Sequence, residues 1–195
     1  SLRNAIPRES VAVVMVNDYQ KFEAFIASMQ STLSEELGNA DPDFKISVDK
    51  CDSPERVMNK DDQKKLLNAI YALPNGVYRM SVDIPDLVET SSSLARIIVE
   101  NGKLISQSLQ RSSVNSAKND IANAIRATFE LIGAEVQQGG DYPGWKPLPD
   151  APILKTMRTL YTDLFNEEPQ VKACHAGLEC GLIGEHYPGM HMISF

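Results

Sequence analysis

Asn101-Gly102 stands between two runs, SLARIIVE at 93–100 and KLISQSLQR at 103–111, that both read as β-strands. The two central residues of a type I′ turn need positive φ, and Asn followed by Gly meets that need well. The dipeptide therefore predicts an antiparallel hairpin near the middle of the chain, whose apolar face something must cover. Helical stripes are available for the task. Asn17 or Asp18 caps a helix in which Phe22, Phe25, Ile26, Met29, Leu33 and Leu37 recur at the spacing of one buried face. A second helix is predicted over 61–73, with Leu66, Leu67, Ile70 and Tyr71 inward and Pro74-Asn75-Gly76 as its stop. A third spans 116–131, with Ile121, Ile125, Phe129 and Ile132 on one face and Gly133 beyond its end.

Further strands are predicted where β-branched residues cluster or apolar and polar residues alternate, at 10–16, 44–49 and 135–138. Over 1–138 the order is then β-α-β-α-β-β-α-β. That is an α/β (α+β) chain whose mixed, largely antiparallel sheet carries helices, a two-layer α/β sandwich. The turn-rich GGDYPGWKPLPD at 139–150 is the best candidate boundary. After it, Asp150 is expected to cap a fourth helix with Pro152 in its first turn and Leu154, Met157, Tyr161 and Leu164 along its stripe. VKACHAGLECGLIG and MHMISF close the chain as a strand, a Gly-rich loop and another strand.

Composition removes several classes of function. Of 195 residues, 43% are apolar and 23% charged, enough of each for a soluble domain with a real core. A net charge of −7 with no basic stripe argues against nucleic acid. The longest apolar run, at 10–16, is far too short to span a bilayer. Three cysteines in a core-bearing chain suit free thiols in a reducing cytosol better than a disulfide framework. The sequence opens on SLRNAIPRES without an initiator Met and closes on MHMISF, and both ends read as cut from inside a longer polypeptide.

The densest chemistry lies in CHAGLECG at 174–181. A zinc site wants about four converging ligands, commonly pairs spaced two to five residues apart. Cys174 and His175 are adjacent, so in a strand they point to opposite faces; Glu179 and Cys180 are adjacent too. A cysteine nucleophile would need a base and an orienting group that the sequence does not place. The ordinary reading makes Cys174 and Cys180 small buried side chains. Gly177, Gly181 and Gly184 leave a pocket wall open as an alternative. Arg111 closes its strand, where a guanidinium can grip a carboxylate bidentately or simply sit in solvent. Asn4, beside Pro7, reads first as a turn-forming amide.

Six segments taken together resemble one family. LRNAIPRE at 2–9, PNGV at 74–77, VETS at 88–91, QRSS at 110–113, YPGWKP at 142–147 and HAGLECGL at 175–182 look like the aminoacyl-histidine dipeptidases, co-catalytic zinc exopeptidases of bacteria. The likeness runs in order along the whole chain. It implies a catalytic α/β domain interrupted by a lid, with residues 1–138 resembling most of the lid and 139–195 the return into the catalytic domain. It also implies a cytoplasmic enzyme using two divalent metal ions, zinc first and manganese or cobalt as alternatives, on dipeptides with C-terminal histidine. The metal ligands and catalytic residues it implies fall on segments absent here, so this chain is expected to hold no metal and to be inactive alone. Three substrate-binding positions carry over: Asn4 toward the scissile carbonyl, Arg111 on the terminal carboxylate, and Gly177 in the cleft wall. Lid domains of this superfamily often carry dimer contacts, so a homodimer is among the implied partners. From the residues alone, a non-enzymatic α/β module that binds a small ligand or pairs with itself stays open.

Overall fold

Asn101 and Gly102 both adopt positive φ, 52° and 72°, in a computed structural model that describes residues 3–175 and 179–194. Two compact units divide the chain, Glu9–Asn59 and Lys60–Phe195 with Ser1–Arg8.

The larger unit is built on the predicted hairpin. Strand β2 (Val88–Glu100) pairs antiparallel with β3 (Lys103–Ser112), in register from Glu100↔Lys103 to Thr90↔Ser112 with one irregularity between Leu94 and Arg96. On the other side of β2 lies β1 (Gly76–Met80), also antiparallel, so the sheet order is β1-β2-β3. The sequence did not announce β1. Gly76, at φ 87°, turns the chain out of the preceding helix α2 (Lys60–Ala72) and directly into this strand.

Helix α3 (Asn115–Leu131) covers the hairpin along the predicted stripe. Ile121, Ile125 and Phe129 are buried and form the core with Leu73; Leu94, Ile132, Ala134 and Val136 pack against it. Ile121 has no exposed surface, so its side chain contributes about 2 kcal/mol of transfer free energy before any packing term. Beneath α3 the sheet is polar at one end. Thr90 Oγ1 and Ser112 Oγ are buried and hydrogen-bonded at 2.9 Å, which removes the penalty of burying either hydroxyl alone. On α2 the inward face is shifted from the one expected. Ala69 and Leu73 are buried, Leu66 and Ile70 half-buried, and Leu67 and Tyr71 exposed.

Two later helices follow. Helix α4 (Pro152–Phe165) starts with Ala151 at its N-cap and Pro152 in its first turn; Asp150 is not the cap. Pro152 at the first helical position has no N–H to satisfy, and the Leu154 N–H donates to the Ala151 carbonyl at 2.9 Å. Helix α5 (Glu179–His186) occupies part of what the glycines suggested was loop. The strand expected at 135–138 does not form: residues 134–137 alternate half-buried and exposed, yet neither they nor 190–194 join a strand ladder.

In the smaller unit, helix α1 (Tyr19–Leu37) begins at Asp18, whose carboxylate accepts from the Lys21 backbone N–H at 3.1 Å. Phe22, Ile26, Met29, Leu33 and Leu37 are half-buried as the stripe requires, while Phe25 is exposed. Phe44, Ile46 and Val48 alternate with exposed neighbours, but 44–49 is no strand. The Gln30 side-chain amide takes the place of a ladder, donating to the Phe44 carbonyl at 3.1 Å and accepting from the Ile46 N–H. The strand expected at 10–16 is absent as well: Val11, Val13, Val14 and Met15 are exposed. Composition alone does not make a strand, because β-propensity depends on the packing and pairing context of the run.

Candidate functional site

Strand pairing fixes what surrounds Arg111. Its Cα partner across the β2–β3 ladder is Ser91, so the two side chains leave the same face of the sheet as direct neighbours. The adjacent pair, Thr90 and Ser112, points the other way into the protein. Arg111 itself is exposed, and no ion pair holds it among the described residues. A guanidinium in that position has free donors to offer.

The stretch 171–175 reaches the same face. His175 is half-buried, and its Nε2 lies 2.7 Å from Ser91 Oγ, a contact between residues 84 positions apart. Burial and, after it, the nearby positive charge of Arg111 hold the imidazole below its ordinary pKa. Both influences disfavour the charged form and favour the neutral ring. Cys174, next to it, is exposed rather than the buried apolar filler expected, and Cys180 is half-buried. Nothing in the sequence singled out Ser91. The polar start of β2, VETS, did not read as strand, and its meeting with His175 is a long-range contact without a local signal.

Two glycines key the later segment onto this end of the sheet. Gly144 N–H donates to Asn115 Oδ1 at 2.7 Å, and a Cβ on Gly144 would stand 2.5 Å from the Ser113 carbonyl oxygen. A Cβ on Gly181, inside α5, would meet the Pro143 carbonyl oxygen at 2.7 Å. Lys118 of α3, largely buried, adds an ion pair to Asp141 at 2.5 Å and donates to the Tyr142 carbonyl. The hydrogen bond from Lys118 to Asp141 is the main reason that carboxyl sits below its ordinary pKa. YPGWKP is thus clipped to α3 on one side and to α5 on the other.

The remaining candidates are dispersed. Asn4 is exposed in the turn at residues 3–4, and no hydrogen bond among the described residues joins it to Arg111. Gly177 lies outside the described residues. Glu179 is exposed; of the other two histidines, whose H-x4-H spacing matches no metal site, His191 is exposed and His186 Nδ1 sits 3.0 Å from the Leu182 carbonyl oxygen one turn back on α5. Arg111 lines neither the concavity of about 520 Å3 beside α4 nor the one of about 360 Å3 between the 143–148 turn and α5. Among the described residues, no three His, Cys, Asp or Glu side chains converge as metal ligands would. No helix among them is long and apolar enough to cross a membrane.

No family model matches the chain. A curated relative does: the cytosol non-specific dipeptidase of Escherichia coli (strain K12) is 31% identical over 196 residues, covering 100% of this chain and 40% of its own length. A solved structure, the aminoacylhistidine dipeptidase of Vibrio alginolyticus, superposes with a TM-score of 0.84 at 34% identity, over 90% of this chain and 36% of that one. Both sequence and fold therefore bear out the resemblance read from the six segments, and both restrict it to about two fifths of the relatives' length.

Proposed function

We propose that this chain is a segment of a metal-dependent dipeptidase of the aminoacyl-histidine dipeptidase family, and that it carries the part that grips the substrate's end. The observation behind the proposal is Arg111. It is exposed at a strand terminus and unpaired among the described residues, in a chain that aligns end to end with part of a dipeptidase. A dipeptidase must measure length, and a rigid guanidinium fork on the terminal carboxylate does so, since a longer peptide places its carboxylate elsewhere.

In this reading residues 1–138 belong to the lid and 139–195 return to the catalytic domain. Asn4 offers an amide donor to the scissile carbonyl, where negative charge develops during attack. Gly177 lets the substrate backbone lie close. The family resemblance implies two divalent metal ions, zinc or else manganese or cobalt, which would polarise that carbonyl and activate water. The described residues do not fit such a centre, because no cluster of suitable donors exists among them. The whole protein would hold the metals with side chains from elsewhere, in the cytosol, in one or two copies.

Dipeptides ending in histidine are the proposed substrates. A broader dipeptide range is the second reading, and the word "non-specific" in the name of the Escherichia coli relative favours it. A substrate panel on the whole protein separates the two. The test of the clamp is Arg111→Ala in that protein. Leaving a desolvated carboxylate unpaired costs about 2–5 kcal/mol, so kcat/KM should fall by roughly 30-fold or more. An unchanged kcat and KM would remove Arg111 from the site. The chain by itself should turn over no dipeptide when zinc, manganese or cobalt is added; metal-dependent turnover would overturn the division of labour proposed here.

A further inference from the structure

Arg111 has a long, flexible stem, and a clamp on a carboxylate works only if the guanidinium is already aimed. We propose that Ser91 and His175 form a latch that positions Arg111: the hydroxyl and the imidazole together wall one side of its stem and set the direction of its fork. This inference rests on the carboxylate role proposed above and assigns two residues to it that carry no role there.

Three observations support the latch. Ser91 is the direct cross-strand partner of Arg111, so a shift of its side chain is felt at once by the guanidinium stem. Ser91 Oγ is tied to His175 Nε2 at 2.7 Å, a short contact that joins β2 to a segment 84 residues later. Burial and the guanidinium charge also lower the His175 pKa and favour its neutral form. A neutral ring neither repels Arg111 nor competes with it for an incoming carboxylate. With Ser91 donating to Nε2, the proton sits on Nδ1 and the imidazole keeps one fixed tautomer. An ionised carboxylate has about four lone-pair positions, and one edge of the fork fills two. The latch thus leaves room for further donors without adding a second charge.

The test uses the whole protein and compares a dipeptide bearing a free C-terminal carboxylate with the same dipeptide amidated. Losing one neutral hydrogen bond should raise KM for the free carboxylate in Ser91→Ala by about threefold to tenfold, with kcat nearly unchanged. Ser91→Thr, which keeps the hydroxyl, should restore KM. In an Arg111→Ala background, Ser91→Ala should add nothing further, because the latch acts only through the arginine. Independent, multiplying effects of the two substitutions would overturn the proposal. So would equal damage to the free and amidated substrates.

A readout that does not depend on turnover keeps the latch separate from the dipeptidase reading. Nitrogen-15 spectra of the His175 ring in the whole protein should show one neutral tautomer, and in Ser91→Ala a mixture. If the whole protein cleaves no dipeptide, the proposed function fails while these spectra still decide the latch. A ring that titrates freely in both proteins refutes it. Should Ser91→Ala fold poorly, His175→Gln replaces it in the kinetic comparison, with the same expectation of raised KM and no added effect beside Arg111→Ala.

Discussion

Helix α3 runs 17 residues and α4 14, and both space their large apolar side chains along one face. Helix α3 lies on the hairpin and buries Ala117, Ile121, Ile125 and Phe129. Helix α4 buries none of its residues; Ile153, Leu154, Met157 and Tyr161 are half-covered, and Leu164 is 67% exposed. Periodicity thus states that a helix has a face to cover. Whether the cover lies within the same 195 residues is a separate matter, and the two helices differ in it.

The most direct way to break this contrast is a matched pair of truncations. Ile121→Ala removes a side chain with no exposed surface and should cost about 2–5 kcal/mol, depending on how far α3 and the sheet collapse. Leu164→Ala should cost only about 0.5 kcal/mol or less in this chain, as for other exposed positions. Urea unfolding of both variants gives the difference. Equal losses would mean that α4 is covered in solution and that the contrast is false. The same Leu164→Ala change in the whole protein sharpens it, since a larger loss there would show that other residues of that protein complete the cover.

A smaller effect is expected at the joint between the two regions. Gly144→Ala drives a Cβ to within 2.5 Å of the Ser113 carbonyl oxygen, backbone against backbone, so one segment must shift. Overpacking of this kind costs about 1–3 kcal/mol. The loss should coincide with faster hydrogen exchange at the Gly144 amide, which now donates to Asn115. Full stability in the variant would show that the 139–145 segment is not held against the sheet.

How much was legible follows the same division. The hairpin was readable because Asn101-Gly102 is a local signal, and α3 because its stripe meets its partner within the chain. Arg111 was readable as a candidate because it ends a strand. The failures occurred where an outcome depends on a distant partner. Residues 10–16 have strand composition and form no strand. Residues 44–48 have the right alternation, but the Gln30 amide takes the place of a neighbouring strand. Gly181 and Gly184 suggested loop, yet Gly181 sits inside α5 because the helix passes so close to Pro143 that no Cβ fits. The contact between Ser91 and His175 has no local precursor at all, so only the folded chain reveals it.

A further small effect concerns pH, and it probes the same joint from the α3 side. Lys118 is largely buried at the start of α3 and holds Asp141 below its ordinary pKa, chiefly by hydrogen bonding. A carboxyl with a lowered folded pKa binds its proton more weakly when folded than when unfolded. Its contribution is therefore fully present above the unfolded pKa, near the ordinary carboxylate value, and fades as pH falls through the folded one. Asp141→Asn should accordingly lower stability slightly at neutral pH and leave it unchanged in strong acid. Asp141 is 80% exposed, so solvent and salt screen the pair and the loss at neutral pH should be less than about 1 kcal/mol. Adding salt to the parent chain should shrink the difference further. A loss that persists undiminished in acid would instead mean that Asp141 acts by packing, and that Lys118 grips the segment through the Tyr142 carbonyl alone.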